Sequence, residues 1–375
     1  MKMRLLVGVV MIGFVVPSGA AELDAGVLEE LSAAMAKQVE EAWVSGVIGL
    51  IAKDGEVGYY ETFGKRVIEG EVAMGKDTLM RIFSMTKPIV AVTAMALWEE
   101  GKFKLDDPIS KFLPEWENPT VREGAEVVAA KSPVTVRQLM THSSGLSYAR
   151  RGLELSEGAT LEEFSKSAAE RPLEFQPGTN YRYGYSIDIL GRLIEAIAGK
   201  PLDVVMRERV FDRTGMDDTE FWVREEKDRG RVAVVYGRGQ GKKLVPFMKV
   251  DGVMKKPSRM MGGQGLISTT GDYAKFCEMF LNRGELGGKR VLKAATVELM
   301  CENHLEAIGK VYGLGGMVDG NGLYFWGGAA GTKFWVNKTN ESYGLFMIQR
   351  WGYEPPTWGM FEGLAKRALA GEKAD

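Results

Sequence analysis

Ser84 and Lys87 stand three residues apart in the stretch Arg81-Ile82-Phe83-Ser84-Met85-Thr86-Lys87-Pro88, and no other serine of the 375-residue chain has a lysine three places on. Residues i and i+3 share one face of a helix, so a hydroxyl and an amine would lie side by side if a helix begins here. The following residues predict one. Ile89 to Trp98 is apolar around most of its circumference, Gly101 supplies a stop, and Pro88 fits only near a helix start. A serine at such an N-terminus has orphan amides and the positive end of the helix dipole beside it, which favour a developing negative charge. Its hydroxyl becomes a nucleophile once a base removes the proton, and a lysine whose pKa is lowered by burial can be that base. The same residues also read as a helix cap followed by a surface lysine, so the other segments decide.

Two further clusters carry chemistry of the matching kind. Pro177-Gly178-Thr179-Asn180-Tyr181-Arg182-Tyr183-Gly184-Tyr185 precedes a helix from Ser186, and offers three phenols, or simply aromatic packing. Trp326-Gly327-Gly328-Ala329 places glycines in a strand, where another backbone or a ligand can come close, or where a bulge forms. An acyl-transfer enzyme needs free amides at such an edge to hold an oxyanion. Also notable are Thr141-His142-Ser143-Ser144-Gly145-Leu146 and the glycine-rich Gly262 to Gly265. Only His142, His304, Cys277 and Cys301 could serve a His- or Cys-based metal site, and without H-E-x-x-H or C-x-x-C spacing neither a metal nor a cofactor is expected. The two cysteines read as separate buried thiols. No serine has glycine two places away on both sides, which sets aside a lipase-type elbow.

These residues must be positioned by an α+β frame. Leu28, Leu31, Met35, Val39 and Trp43 recur at helical spacing, and two strand-like runs, Val47 to Lys53 and Glu56 to Phe63, flank the hairpin signal Asp54-Gly55. Helical periodicity then dominates: Thr135 to Met140, Thr160 to Glu170, Ser186 to Ala198 and Pro201 to Val210, with one β-branched run at Val232 to Tyr236. Three strands separated by Gly-rich or Asn-rich turns follow, Leu323 to Trp326, Thr332 to Val336 and Tyr343 to Ile348, with a covering helix from Thr357 to Ala370. The expected organisation is a sheet domain in two parts, 21–105 with the nucleophile helix and 253–375, around a helix-rich insert at 106–252. Met260, Met261, Trp222 and Trp351 read as core packing rather than as an acyl pocket.

Lys plus Arg number 48 against 50 Asp plus Glu, so a nucleic-acid partner is not expected. Residues 1–20 read as a signal peptide: Lys2 and Arg4, an apolar run from Leu5 to Val16, then Pro17-Ser18-Gly19-Ala20-Ala21, with cleavage expected after Ala20 or Ala21. Export, periplasmic or secreted, is the expectation, with no stable membrane anchor after cleavage. Loss of Lys2 and Arg4 would take the net charge from -2 to -4.

Taken in order, the S-x-x-K at Ser84 to Lys87, Leu105-Asp106-Asp107-Pro108, Thr141 to Leu146, Pro177-Gly178 before the tyrosines, the 262–265 loop and Trp326-Gly327-Gly328 resemble the class C β-lactamase-like serine hydrolases. That superfamily includes D,D-peptidases and family VIII carboxylesterases. The resemblance runs from about Gly46 to Met347 and implies an antiparallel sheet flanked by helices, with a helix-rich inserted domain. It implies Ser84 as nucleophile, Lys87 as its proton-transfer partner and Tyr183 as the family's tyrosine, with Tyr181 and Tyr185 as competitors. It further implies that the amides of Ser84 and Ala329 form the oxyanion hole, that Trp326, Gly327, Gly328 and Tyr185 border the substrate, and that His142 is structural, bonding its own loop. Two departures stand out: Tyr185 replaces an asparagine of lactamases, and Trp326-Gly327-Gly328 lacks the lysine of K-T-G. Both remove groups suited to a β-lactam or a peptide terminus. The implied substrate is a small-molecule ester or amide, with carboxylesterase action first. The alternatives are a β-lactamase or D-amino-acid peptidase with the same chemistry, or a non-catalytic sensor or binding domain.

Overall fold

The computed structural model describes residues 23–148, 155–352 and 357–371; the predicted signal segment and its cleavage point lie outside them. Helix α1 (Ala25–Glu40) starts at Asp24, whose side chain accepts the Val27 amide. Asp54 and Gly55 both take positive φ, 53° and 81°. That is the backbone of a two-residue hairpin, and it folds β1 (Gly46–Lys53) onto β2 (Glu56–Val67) as predicted. With β3 (Val72–Ala73), β4 (Met317–Val318), β5 (Leu323–Gly327), β6 (Lys333–Asn337) and β7 (Ser342–Ile348) they make one antiparallel sheet, ordered β4-β5-β6-β7-β1-β2-β3. The chain's two ends therefore meet in the middle, where β1 pairs with β7 in the register Leu50 to Leu345.

Alternation along β1 sorts its side chains between two cores. Val47 and Ile51 face α1 and the C-terminal helix Thr357–Ala370, meeting Leu31, Met35, Phe361 and Ala365. Ile48, Leu50 and Ala52 face the larger core on the other side. Gly49 is required between them, since a Cβ there would stand 2.8 Å from the Phe361 ring. The larger core holds α2 (Thr86–Glu99), buried at every position from Thr86 to Leu97, which explains its apolar circumference. Next come α3 (Val136–Met140), α4 (Leu161–Ala169) and α5 (Ser186–Ala198), the first two with Thr135 and Thr160 in reciprocal capping boxes. Finally α6 (Thr270–Leu281) lays Tyr273, Phe276 and Phe280 against Phe334 and Tyr324 of the sheet.

The α+β class and the terminal meander stand as expected. The segment 106–252 is less purely helical than its periodicity suggests. It contains the hairpins Thr120–Glu123 with Glu126–Ala129, and Val235–Arg238 with Leu244–Met248. Most strand residues of the first are exposed, which removes the apolar alternation that marks a strand in sequence. Cys277 and Cys301 are unbonded, Cys277 fully buried. Among the described residues no helix is long and apolar enough to cross a membrane.

Candidate active site

Phe83 turns the chain at φ 45°, a left-handed conformation that is uncommon for a bulky side chain. Its ring is buried with Val235 and Ala330 and meets Trp351 at 5.6 Å. Phe83–Met85 then forms one 3-10 turn that runs into α2, so Ser84 precedes the α-helix proper and Lys87 lies in its first turn. The turn is fastened from behind by the 266–273 segment. The Ile82 amide donates to Leu266 O at 3.1 Å, the Leu266 amide to Thr86 Oγ1 at 3.1 Å, and Tyr273 OH to Met85 O at 2.9 Å.

Around Ser84 the structure brings together two of the residues expected with it. Lys87 Nζ lies 3.2 Å from Ser84 Oγ, and Tyr183 OH donates to the same oxygen at 2.7 Å. Tyr183 is held by two backbone ties between its loop and the 142–147 turn, Gly178 N to Ser143 O at 2.8 Å and Arg182 N to His142 O at 2.9 Å. Lys87 has two further partners: Gly263 O at 2.6 Å, from the glycine-rich stretch that the sequence marked without a role, and Tyr148 OH at 3.2 Å, which sequence reasoning missed. Gly263 in turn donates its amide to Asp188 Oδ1 at 2.7 Å. One glycine thus stands between a buried ammonium and a buried carboxylate, and it must be glycine because a Cβ would sit 2.6 Å from Asp188 Oδ2.

Burial sets the proton affinities. It drives the Lys87 pKa well down, opposed by the attraction of Asp188, and drives Asp188 up, opposed by Lys87 and the Gly263 amide. Tyr183 is pushed up to about 12 by the same desolvation, partly offset by its bond to Ser84. The amine is therefore the group nearest to losing its proton at neutral pH. His142 is held far below its ordinary value by burial and by the Lys87 charge. Its ring is structural through packing and not, as expected, through bonds to its own loop: neither ring nitrogen has a hydrogen-bond partner among the described residues, and the neutral ring packs on Tyr183 at 4.7 Å.

An open cleft of about 450 Å³ runs from Ser84 and Tyr183 along Trp326, Gly327, Gly328 and Ala329. It exists because β4 pairs only with Tyr324 and Phe325, which leaves the edge of β5 uncovered beyond them. Gly328 presses on the Ser84 turn, where a Cβ would stand 2.3 Å from Ile82 O. Neither the Ser84 amide nor the Ala329 amide donates to another backbone group among the described residues. Tyr185 does not reach this cleft. It caps α5 and packs edge-on against Tyr148 at 4.6 Å and Phe164 at 5.4 Å. Tyr181 lies against His142 and Tyr312. Met260, Met261 and Trp222 belong to the larger core, while the apolar wall of the cleft is Met317, Phe325 and Trp358.

The Beta-lactamase family model matches residues 31–362. The chain belongs to that family. Among relatives of this β-lactamase-family chain, Esterase EstB of Burkholderia gladioli is 31% identical over 289 residues, covering 69% of this chain and 71% of its own. Lovastatin esterase of Penicillium rubens is 29% identical over 325 residues, covering 73% and 80%. The fold matches the solved structure of EstCE1, described as a hydrolase with promiscuous acyltransferase activity, with a TM-score of 0.79 at 24% identity over 92% of this chain and 99% of that one. The chain is accordingly a serine hydrolase related to the β-lactamases.

Proposed function

We propose that this hydrolase cleaves small esters through an acyl-enzyme on Ser84. The observation that carries the reading is the convergence on one oxygen of Lys87 Nζ at 3.2 Å and Tyr183 OH at 2.7 Å. Neutral Lys87 takes the Ser84 proton as Oγ bonds to the ester carbonyl carbon, and the carbonyl electron pair moves onto oxygen facing the amides of Ser84 and Ala329. Lys87 is favoured over Tyr183 as the base because a phenol pushed up to about 12 has almost no phenolate near neutrality. The proton passes through Tyr183 to the departing alkoxide as its C–O bond breaks. Water then adds to the acyl carbon, gives its proton to Lys87, and the acid leaves as Ser84 Oγ recovers a proton.

Two relatives bear esterase in their names, and the lysine of K-T-G is replaced by Trp326; both favour esters over β-lactams. Export completes the proposal and rests on the basic, apolar, then small-residue order of positions 1–20. The test is Ser84→Ala assayed with short-chain p-nitrophenyl esters and nitrocefin, and a fluorophosphonate probe on both proteins. Loss of ester turnover and of labelling, with an unchanged thermal transition, is expected. Ester turnover retained in the alanine variant would remove the assignment, and nitrocefin cleavage outrunning ester cleavage in the native protein would move it to β-lactams.

A further inference from the structure

Lys333 opens β6 directly across from Gly327 of β5. Because Gly327 has no side chain, the lysine stem lies on it: a Cβ at Gly327 would stand 3.1 Å from Lys333 Cγ and 3.5 Å from Cε. The stem carries the ammonium to the wall of the Ser84 cleft, 4.8 Å from the ring centre of Trp358. Among the described residues that ammonium has neither a hydrogen-bond nor an ion-pair partner. The acid that acts on it, Glu362, is bonded to Lys366 at 2.7 Å. Burial meanwhile lowers the Lys333 pKa, so the group bears part of a desolvation cost with only an aromatic face in return. A carboxylate arriving in the cleft would supply the missing partner.

The two faces of β5 decide which part of a substrate brings it. Trp326 packs on Tyr183 at 5.3 Å, whereas Gly327 and Lys333 lie on the opposite face, toward Trp358. The departing alcohol collects its proton on the Tyr183 side, so the acyl group extends toward Lys333, past the apolar Met317 and Phe325. We propose that Lys333 is a specificity residue that binds a carboxylate at the far end of the acyl group, selecting half-esters of dicarboxylic acids with an apolar spacer. The proposal rests on the ester-hydrolase reading above. It places a cation in the cleft from a different strand than the one that bears K-T-G in lactamases.

The experiment compares kcat/KM for mono-p-nitrophenyl adipate and p-nitrophenyl hexanoate, which differ at the acyl terminus. The acid-to-neutral ratio should fall about tenfold in Lys333→Met, carried by KM, consistent with loss of a charge-assisted contact at a partly exposed site. It should be restored in Lys333→Arg and fall in the native protein as sodium chloride rises. Adipate should also inhibit hexanoate hydrolysis competitively in the native protein and in Lys333→Arg but not in Lys333→Met. An unchanged ratio in Lys333→Met, with hexanoate still hydrolysed through Ser84, overturns this inference and leaves the esterase reading standing. Absence of Ser84-dependent turnover of either ester overturns both.

Discussion

Asp188→Asn removes one buried negative charge while keeping an oxygen to accept the Gly263 amide, which Asp188 Oδ1 takes at 2.7 Å. Asp188 and Lys87 are separated by that glycine alone, whose carbonyl accepts from Lys87 at 2.6 Å. A glycine and two hydrogen bonds put the charges roughly 7 Å apart, and at an effective dielectric of about 20 their attraction is about 2.4 kcal/mol, or just under ~2 pKa units. The carboxylate's own raised pKa weakens its charge and brings the expectation to about 1–2 units. The sign follows from which form acts. Asp188 favours the ammonium and so raises the Lys87 pKa, whereas the proposed base is the free amine. Removing Asp188 therefore lowers the Lys87 pKa, and the acid limb of kcat/KM against pH moves down by about 1–2 units. The assay is ester hydrolysis across pH 4–9, read at the isosbestic wavelength of p-nitrophenol. A limb that stays in place while only the plateau falls would mean that Asp188 is structural; a limb that moves up would refute Lys87 as the base.

Tyr183→Phe removes the 2.7 Å bond to Ser84 Oγ and the proton path to the leaving alkoxide. It should lower kcat about 10²- to 10⁴-fold with KM little changed, and a kcat near the native value would exclude Tyr183 from the proton path. Gly328→Ala would drive a Cβ to 2.3 Å from Ile82 O and Thr332 Oγ1, pushing the Ala329 amide away from the Ser84 turn. It should cost about 1–3 kcal/mol in denaturant unfolding and depress kcat more than KM; native kinetics in that variant would dissociate the β5 edge from oxyanion binding.

What was legible in the sequence was local. The pairing of Ser84 with Lys87 follows from helical spacing, the β1–β2 hairpin from Asp54-Gly55, and the terminal meander from alternation and turn residues. The residues that tune the lysine were not legible, because they reach it from distant segments. Asp188 is a lone acid among Ile187, Ile189 and Leu190, and that break in an apolar run marks it without saying what it faces. Its partner Gly263 lies 75 residues further on. Lys333, flanking a turn, looks in sequence like any solvated strand end, and only the absence of a side chain at Gly327 across the ladder admits it to the cleft.

The tyrosines show the same boundary most sharply. Tyr181, Tyr183 and Tyr185 stand two residues apart, so spacing alone offers each as the phenol that meets Ser84. The choice is made by Gly184, whose Cα lies so close to the 146–147 backbone that a Cβ would stand 2.3 Å from Ser147 Cα. That approach and the Arg182 N to His142 O bond hold the loop against the turn after His142. It sends Tyr183 toward Ser84 and turns Tyr185 back onto Tyr148 and Phe164. The identity of the phenol at the site is thus set by the residue beside it that has no side chain, through a contact with a segment some 37 residues earlier in the chain.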